Sequence, residues 1–128
     1  MTKDMGFKLA RIGQIAINVR DVERATAFYR DKLELKFLFA AGTMAFFDCG
    51  GIRLLLGLAE KPEEHHRSSI LYFHVDDIHA AHETMKAKGV EFKQKPHFVA
   101  NMGKYDLWIG FFRDSEENIH AIMAEVAK

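Results

Sequence analysis

An α+β fold built from two tandem β-α-β-β-β modules is what this sequence of 128 residues predicts, and three observations predict it. The stretch "NVRDVERATAFYRDKL" (Asn18 to Leu33) is echoed by "HVDDIHAAHETMKAKG" (His74 to Gly89), with Asp21 and Asp77 standing 56 positions apart. Each half ends alike, since "FFDCGGIRLLLGLAE" and "FFRDSEENIHAIMAE" run the same length from Phe-Phe to Ala-Glu. Each half also offers four strand-like runs for one helix, so one face of each sheet is left uncovered. Two such sheets, side by side and curled, make an eight-stranded sheet around a trough, with the helices on the outer face. The repeats cover about residues 10–60 and 68–126 of one domain, residues 1–128.

In the first half, "RIGQIAINV" alternates. Ile15, Ile17 and Val19 share one face, and Gln14, Ala16 and Asn18 the other. Asp21 suits a helix N-cap, because its carboxylate can accept from an unpaired N–H of the first turn. Val22, Ala25, Phe28 and Tyr29 follow at helical spacing. The runs "LKFLFA", "TMAFFDCG" and "IRLLLGL", separated by Gly-containing turns, complete the module. In the second half, Leu71, Phe73 and Val75 face the helix while Ile70, Tyr72 and His74 face away. Asp77 caps a helix with Ile78, Ala81 and Met85 inward, ended by Gly89. "VEFKQ" and "DLWIGFF" read as strands, "RDSEEN" as a turn and "IHAIMAEV" as the last strand. "KPHFVANM", with Pro96, reads as a connection.

Composition bounds the function. The chain is 48% hydrophobic, and its 18 basic residues balance 18 acidic ones, so it offers no electrostatic footprint for nucleic acid or an anionic membrane. Cys49 is the only cysteine, which excludes an intrachain disulfide and cysteine-rich zinc motifs. The first ten residues lack an apolar signal-peptide region and no run is long enough to span a bilayer, so a cytoplasmic protein is expected. No P-loop, nucleophile elbow or dinucleotide fingerprint is present.

"IAINVRDVERATAFYRDKLEL", "VDDIHAAHETMKAKGV" and "GFFRDSEENIHAIMAE" resemble the vicinal-oxygen-chelate superfamily of glyoxalase I, extradiol dioxygenases and bleomycin-resistance proteins, from about Ile12 to Glu125. In its metal-using members, four trough-facing side chains hold a divalent ion, one from the first and one from the last strand of each half. The resemblance places Gln14, Leu55 or Leu56, Ile70 and Ala121 at those positions. Three of the four are hydrocarbon, and divalent ions want imidazole, carboxylate or amide ligands. No metal and no other cofactor is therefore expected, and standard glyoxalase I activity is not. The resemblance also implies a homodimer whose troughs are completed across the interface.

The expected function is binding of a small, partly apolar molecule in the trough, without metal-dependent chemistry or as a metal-independent enzyme. Candidate binding residues are Gln14, Asn18, Arg53, Tyr72, His74, Tyr105 and Trp108, Arg53 being able to pair bidentately with a carboxylate. Trp108 reads equally as core. His97 and Asp106 form the candidate acid–base pair, if the fold brings them together. The alternative is a divalent-metal lyase, isomerase or dioxygenase with displaced ligands Gln14, His74 and His97. His120 has helix-facing parity, and His65, His66, His79 and His82 read as solvated.

Overall fold

The computed structural model describes residue 7, residues 9–59 and residues 69–128. The first module runs β1 (Gln14–Asn18), α1 (Val22–Ala27) continued by a π-helical turn (Phe28–Lys32), β2 (Lys36–Ala41), β3 (Met44–Cys49) and β4 (Ile52–Gly57). The second runs β5 (Tyr72–His74), α2 (Ile78–Ala87), β6 (Glu91–Phe92), β7 (His97–Asn101), β8 (Tyr105–Arg113) and β9 (Ile119–Ala127). His65 and His66 lie outside the described residues.

The two sheets share one plan. Their orders are β1-β4-β3-β2 and β5-β9-β8-β6, with β7 also on β8. In both, the first strand lies parallel to the last, and the helix makes the crossover that a parallel pair requires. Both helices start as expected: the Asp21 and Asp77 carboxylates accept from the N–H groups of Arg24 and Ala80, each at 3.0 Å. At the end of α1, Leu33 N–H reaches back five residues to the Phe28 carbonyl at 3.1 Å. That wider turn places the adjacent Phe28 and Tyr29 both inside, which a regular α-helix does less readily.

The structure departs from the expected eight strands in one place. "KPHFVANM" is not a plain connection, because His97–Asn101 pairs with β8 as a strand. β6 and β7 are two pieces of one border strand, both lying along β8. The break falls at Pro96, which has no N–H to give. Its ring rests on Gly110, where an added Cβ would meet Pro96 Cγ at 3.1 Å. Among the described residues no strand register joins the two sheets, so the sheet is realised as separate ladders of four and five strands.

What unites the modules is packing. Ile17, Val19, Phe47, Leu54 and Leu56 from the first sheet and Phe112, Ile122 and Ala124 from the second are buried in one core on the helix-covered sides. A polar clasp closes one part of this seam. The Tyr29 hydroxyl donates to Asp114 Oδ2 at 2.6 Å and lies 3.0 Å from His120 Nε2. Leu71 N–H donates to His120 Nδ1 at 3.2 Å, so the imidazole proton belongs on Nε2 and points at Tyr29. Asp114 Oδ1 accepts from the N–H groups of Glu116 and Asn118, both at 2.8 Å. Burial holds His120 below its usual pKa against the pull of Asp114, and burial together with Asp114 raises Tyr29 well above the phenol value. Next to it Glu116 takes a two-pronged bond from Arg24, at 2.7 and 2.9 Å. Among the described residues no helix is long and apolar enough to cross a membrane.

Candidate functional site

Strand pairing fixes which side chains share a row on the uncovered face of each sheet. In the first module Gln14 lies beside Arg53, Ala16 beside Leu55 and Asn18 beside Gly57. Across β3 the rows continue to Asp48, Phe46 and Met44. Leu56 is fully buried on the helix side, so Leu55 is the uncovered-face residue of that pair. Gln14 Oε1 accepts from Arg53 Nε at 2.8 Å. The guanidinium carbon lies 5.8 Å from the centroid of Phe46, and Phe39 stacks on Phe46 with centroids 4.5 Å apart. An amide thus holds one edge of a guanidinium that lies over Phe46, and among the described residues its two terminal nitrogens have no partner. Asn18 is tied into the seam, its carbonyl accepting from Asn118 Nδ2 at 3.2 Å.

In the second module Tyr72, Ala121 and Phe111 form one row, and His74, Met123, Ile109 and His97 the next. His74 and His97 share a face but stand three strands apart, about 14 Å on a flat sheet. They are not brought together as co-ligands, and Gln14 belongs to the other sheet. What His74 does meet is Glu125, its Nε2 lying 3.8 Å from Oε1. A hydrogen bond to that same carboxylate raises the Tyr105 phenol above its usual value. His74, Glu125 and Tyr105 therefore form a polar group on this face. Sequence reasoning missed Glu125, although its parity with Ala121 was available. Among the described residues no three His, Cys, Asp or Glu side chains converge as a metal site.

Three expectations are corrected. His97 and Asp106 do not form a pair: His97 shares its row with Ile109 on the uncovered face, whereas Asp106 has the parity of Trp108 on the opposite one. His97 Nδ1 instead lies 3.5 Å from Gln94 Nε2, and Asp106 lies 3.6 Å from Lys128 Nζ. Trp108 is not a trough wall, since it packs against the core beside His79 of α2, with ring centroids 5.2 Å apart. His82 is not solvated, since it is buried against Phe92 at 4.6 Å between centroids, and burial lowers its pKa. Tyr72, His74, Arg53 and Gln14 lie on the uncovered faces as their alternation predicts.

Comparison with known proteins agrees with this architecture. A protein of Didymella fabae described as containing a glyoxylase-like domain is 33% identical over 126 residues, covering 92% of this chain and 96% of that one. YraH of Bacillus subtilis (strain 168) is 27% identical over 120 residues, covering 83% and 91%. Among solved structures, the lactoylglutathione lyase of Agrobacterium tumefaciens superposes with a TM-score of 0.72 at 21% identity, over 91% of this chain and 95% of that one, a likeness of fold. The model of the Glyoxalase/Bleomycin resistance protein/Dioxygenase superfamily matches residues 11–125, and with the repeated β-α-β-β-β plan on the page, the chain belongs to that superfamily.

Proposed function

We propose that this protein binds a small, partly apolar molecule bearing a carboxylate on the uncovered faces of its sheets, through Arg53 and without a bound metal. The observation that carries the reading is the guanidinium itself. Arg53 shares the row of Gln14, is steered by it, and lies over Phe46, on which Phe39 stacks. A guanidinium whose fork no described residue engages suits a planar carboxylate, and the aromatic pair suits the flat or apolar body attached to it. A metal ligand is a poor neighbour for that cation, because a divalent ion would repel it.

The test is a calorimetric titration with 2-naphthoate, compared between wild type and Arg53→Met. Binding should weaken by about tenfold or more in the variant, the scale of a lost charge-assisted bond. Equal affinity for both proteins would sink the proposal.

Phe39, Met44, Ile70 and Tyr72 are exposed large apolar side chains on or beside these faces. We read them as surface covered in a homodimer, which the mass in solution reports directly. A second reading rests on His74 and Glu125, whose 3.8 Å separation suits two ligands of one divalent ion. In that case metal analysis of the purified protein gives about one ion per chain, lost in His74→Ala.

A further inference from the structure

The clasp that closes one part of the seam has a counterpart that stays open. Counting the repeat interval of 56 positions from Tyr29 leads to Met85 on α2. Aligning the two Phe-Phe pairs sets Cys49 against Asp114, and strand pairing sets Leu54 against His120, since each lies opposite the second of those phenylalanines. The polar trio Tyr29, Asp114 and His120 thus corresponds to the apolar trio Met85, Cys49 and Leu54. Where the first trio meets in hydrogen bonds, the second borders empty space. Met85 and Cys49 both line a crevice of about 470 Å³, walled further by Leu33, Leu35, Phe73 and Ile122. Cys49 and Leu54 border a second hollow of about 240 Å³ that runs on past Ile70.

One wall of this crevice is polar in a specific way. The bonds to β9 use Leu71 O and Val75 N, so in this parallel ladder the backbone groups of Tyr72 and His74 point away from β9. They face the open edge of β5, along which the crevice runs. An unpaired strand edge set in an apolar wall presents donors and acceptors that seek a partner.

We infer that this crevice is a second binding site, distinct from the uncovered sheet faces, for a compact and largely apolar neutral molecule with one hydrogen-bonding group. Its apolar body fills the space between Leu33, Met85 and Ile122. Its polar group bonds to the backbone of Tyr72 or His74. The volume lies within the range of small-molecule pockets, and the edge of β5 is too short to seat an added peptide strand of ordinary length. A charged ligand is disfavoured, because no Asp, Glu, Lys or Arg side chain lines the crevice. Burial holds the Cys49 thiol above its usual pKa, so alkylation there is slow and sensitive to what covers it.

N-phenyl-1-naphthylamine, neutral and with one N–H, is the probe. Its fluorescence should rise saturably with the wild-type protein, and saturation should slow alkylation of Cys49 by iodoacetamide by about fivefold or more, as expected for a ligand that buries most of its surface. Met85→Trp, which fills the crevice from α2, should lose both effects. Should that variant not fold, the protection of Cys49 in the wild type still decides the matter. A probe that binds while Cys49 reacts at its ordinary rate overturns the inference. Arg53→Met separates it from the proposal above: the crevice predicts unchanged probe binding, and loss of binding would place the probe on the uncovered face instead.

Discussion

The closed and the open seam are the same place in two copies of one unit, and the polar trio of one is an apolar trio in the other. Tyr29, Asp114 and His120 satisfy one another and the backbone N–H groups of Leu71, Glu116 and Asn118, so their burial costs little and ties the second module's turn to the first module's helix. Met85, Cys49 and Leu54 have no such bonds to make and leave a gap. The turns differ accordingly. Arg113–Asn118 is long and rich in carboxylates, whereas Gly50 and Gly51 turn the chain with φ of 59° and 92° and send no side chain across. Duplication supplied two equivalent joints; one serves cohesion and the other is left available.

The comparison breaks most sharply at Asp114. Asp114→Ala removes the acceptor of Tyr29 and of two backbone N–H groups, and should cost about 3–5 kcal/mol of unfolding free energy. The equivalent truncation on the open side, Met85→Ala, enlarges a gap that already exists and should cost nearer 1–2 kcal/mol. Urea denaturation of the two variants measures both, and equal losses would remove the distinction between the seams.

A smaller effect comes from pH. His120 is held below its ordinary pKa in the folded chain, so the unfolded chain takes up its proton first as pH falls. Its contribution is complete above the ordinary value of about 6.5 and is lost as pH drops from there towards the folded-state pKa. The physical step is protonation of Nδ1, which ends its acceptance of the Leu71 N–H. Melting temperature recorded between pH 8 and 5 should therefore fall in the wild type, and fall less steeply in His120→Asn.

Much of this was readable beforehand. Period-two alternation placed Gln14, Arg53, Tyr72 and His74 on the correct faces, and the aspartate caps placed both helices, because these are local properties of the chain. Which face Asp106 and Trp108 share was not readable. Asp106 and Trp108 stand at the start of the run "DLWIGFF", where nearly every residue is apolar or aromatic, so alternation did not say which face is the covered one. β7 was hidden by Pro96, whose usual meaning is a break, and here it is one within a border strand. The clasp joins residues 85 and 91 positions apart, and no spacing rule connects Tyr29 to Asp114 or His120. Glu125 was within reach, since it lies inside the predicted last strand "IHAIMAEV" with the parity of Ala121.

The borders of the two sheets carry a last consequence. β2 slips register between Phe37 and Phe39, β7 slips between Phe98 and Ala100, and Pro96 cuts the second border again. A foreign strand zipping onto β2 or onto the β6–β7 border would find its rungs out of step after two or three bonds, which keeps those two margins from seeding fibres. Crowding such a protein should drive it towards face-to-face pairing rather than towards open-ended polymers.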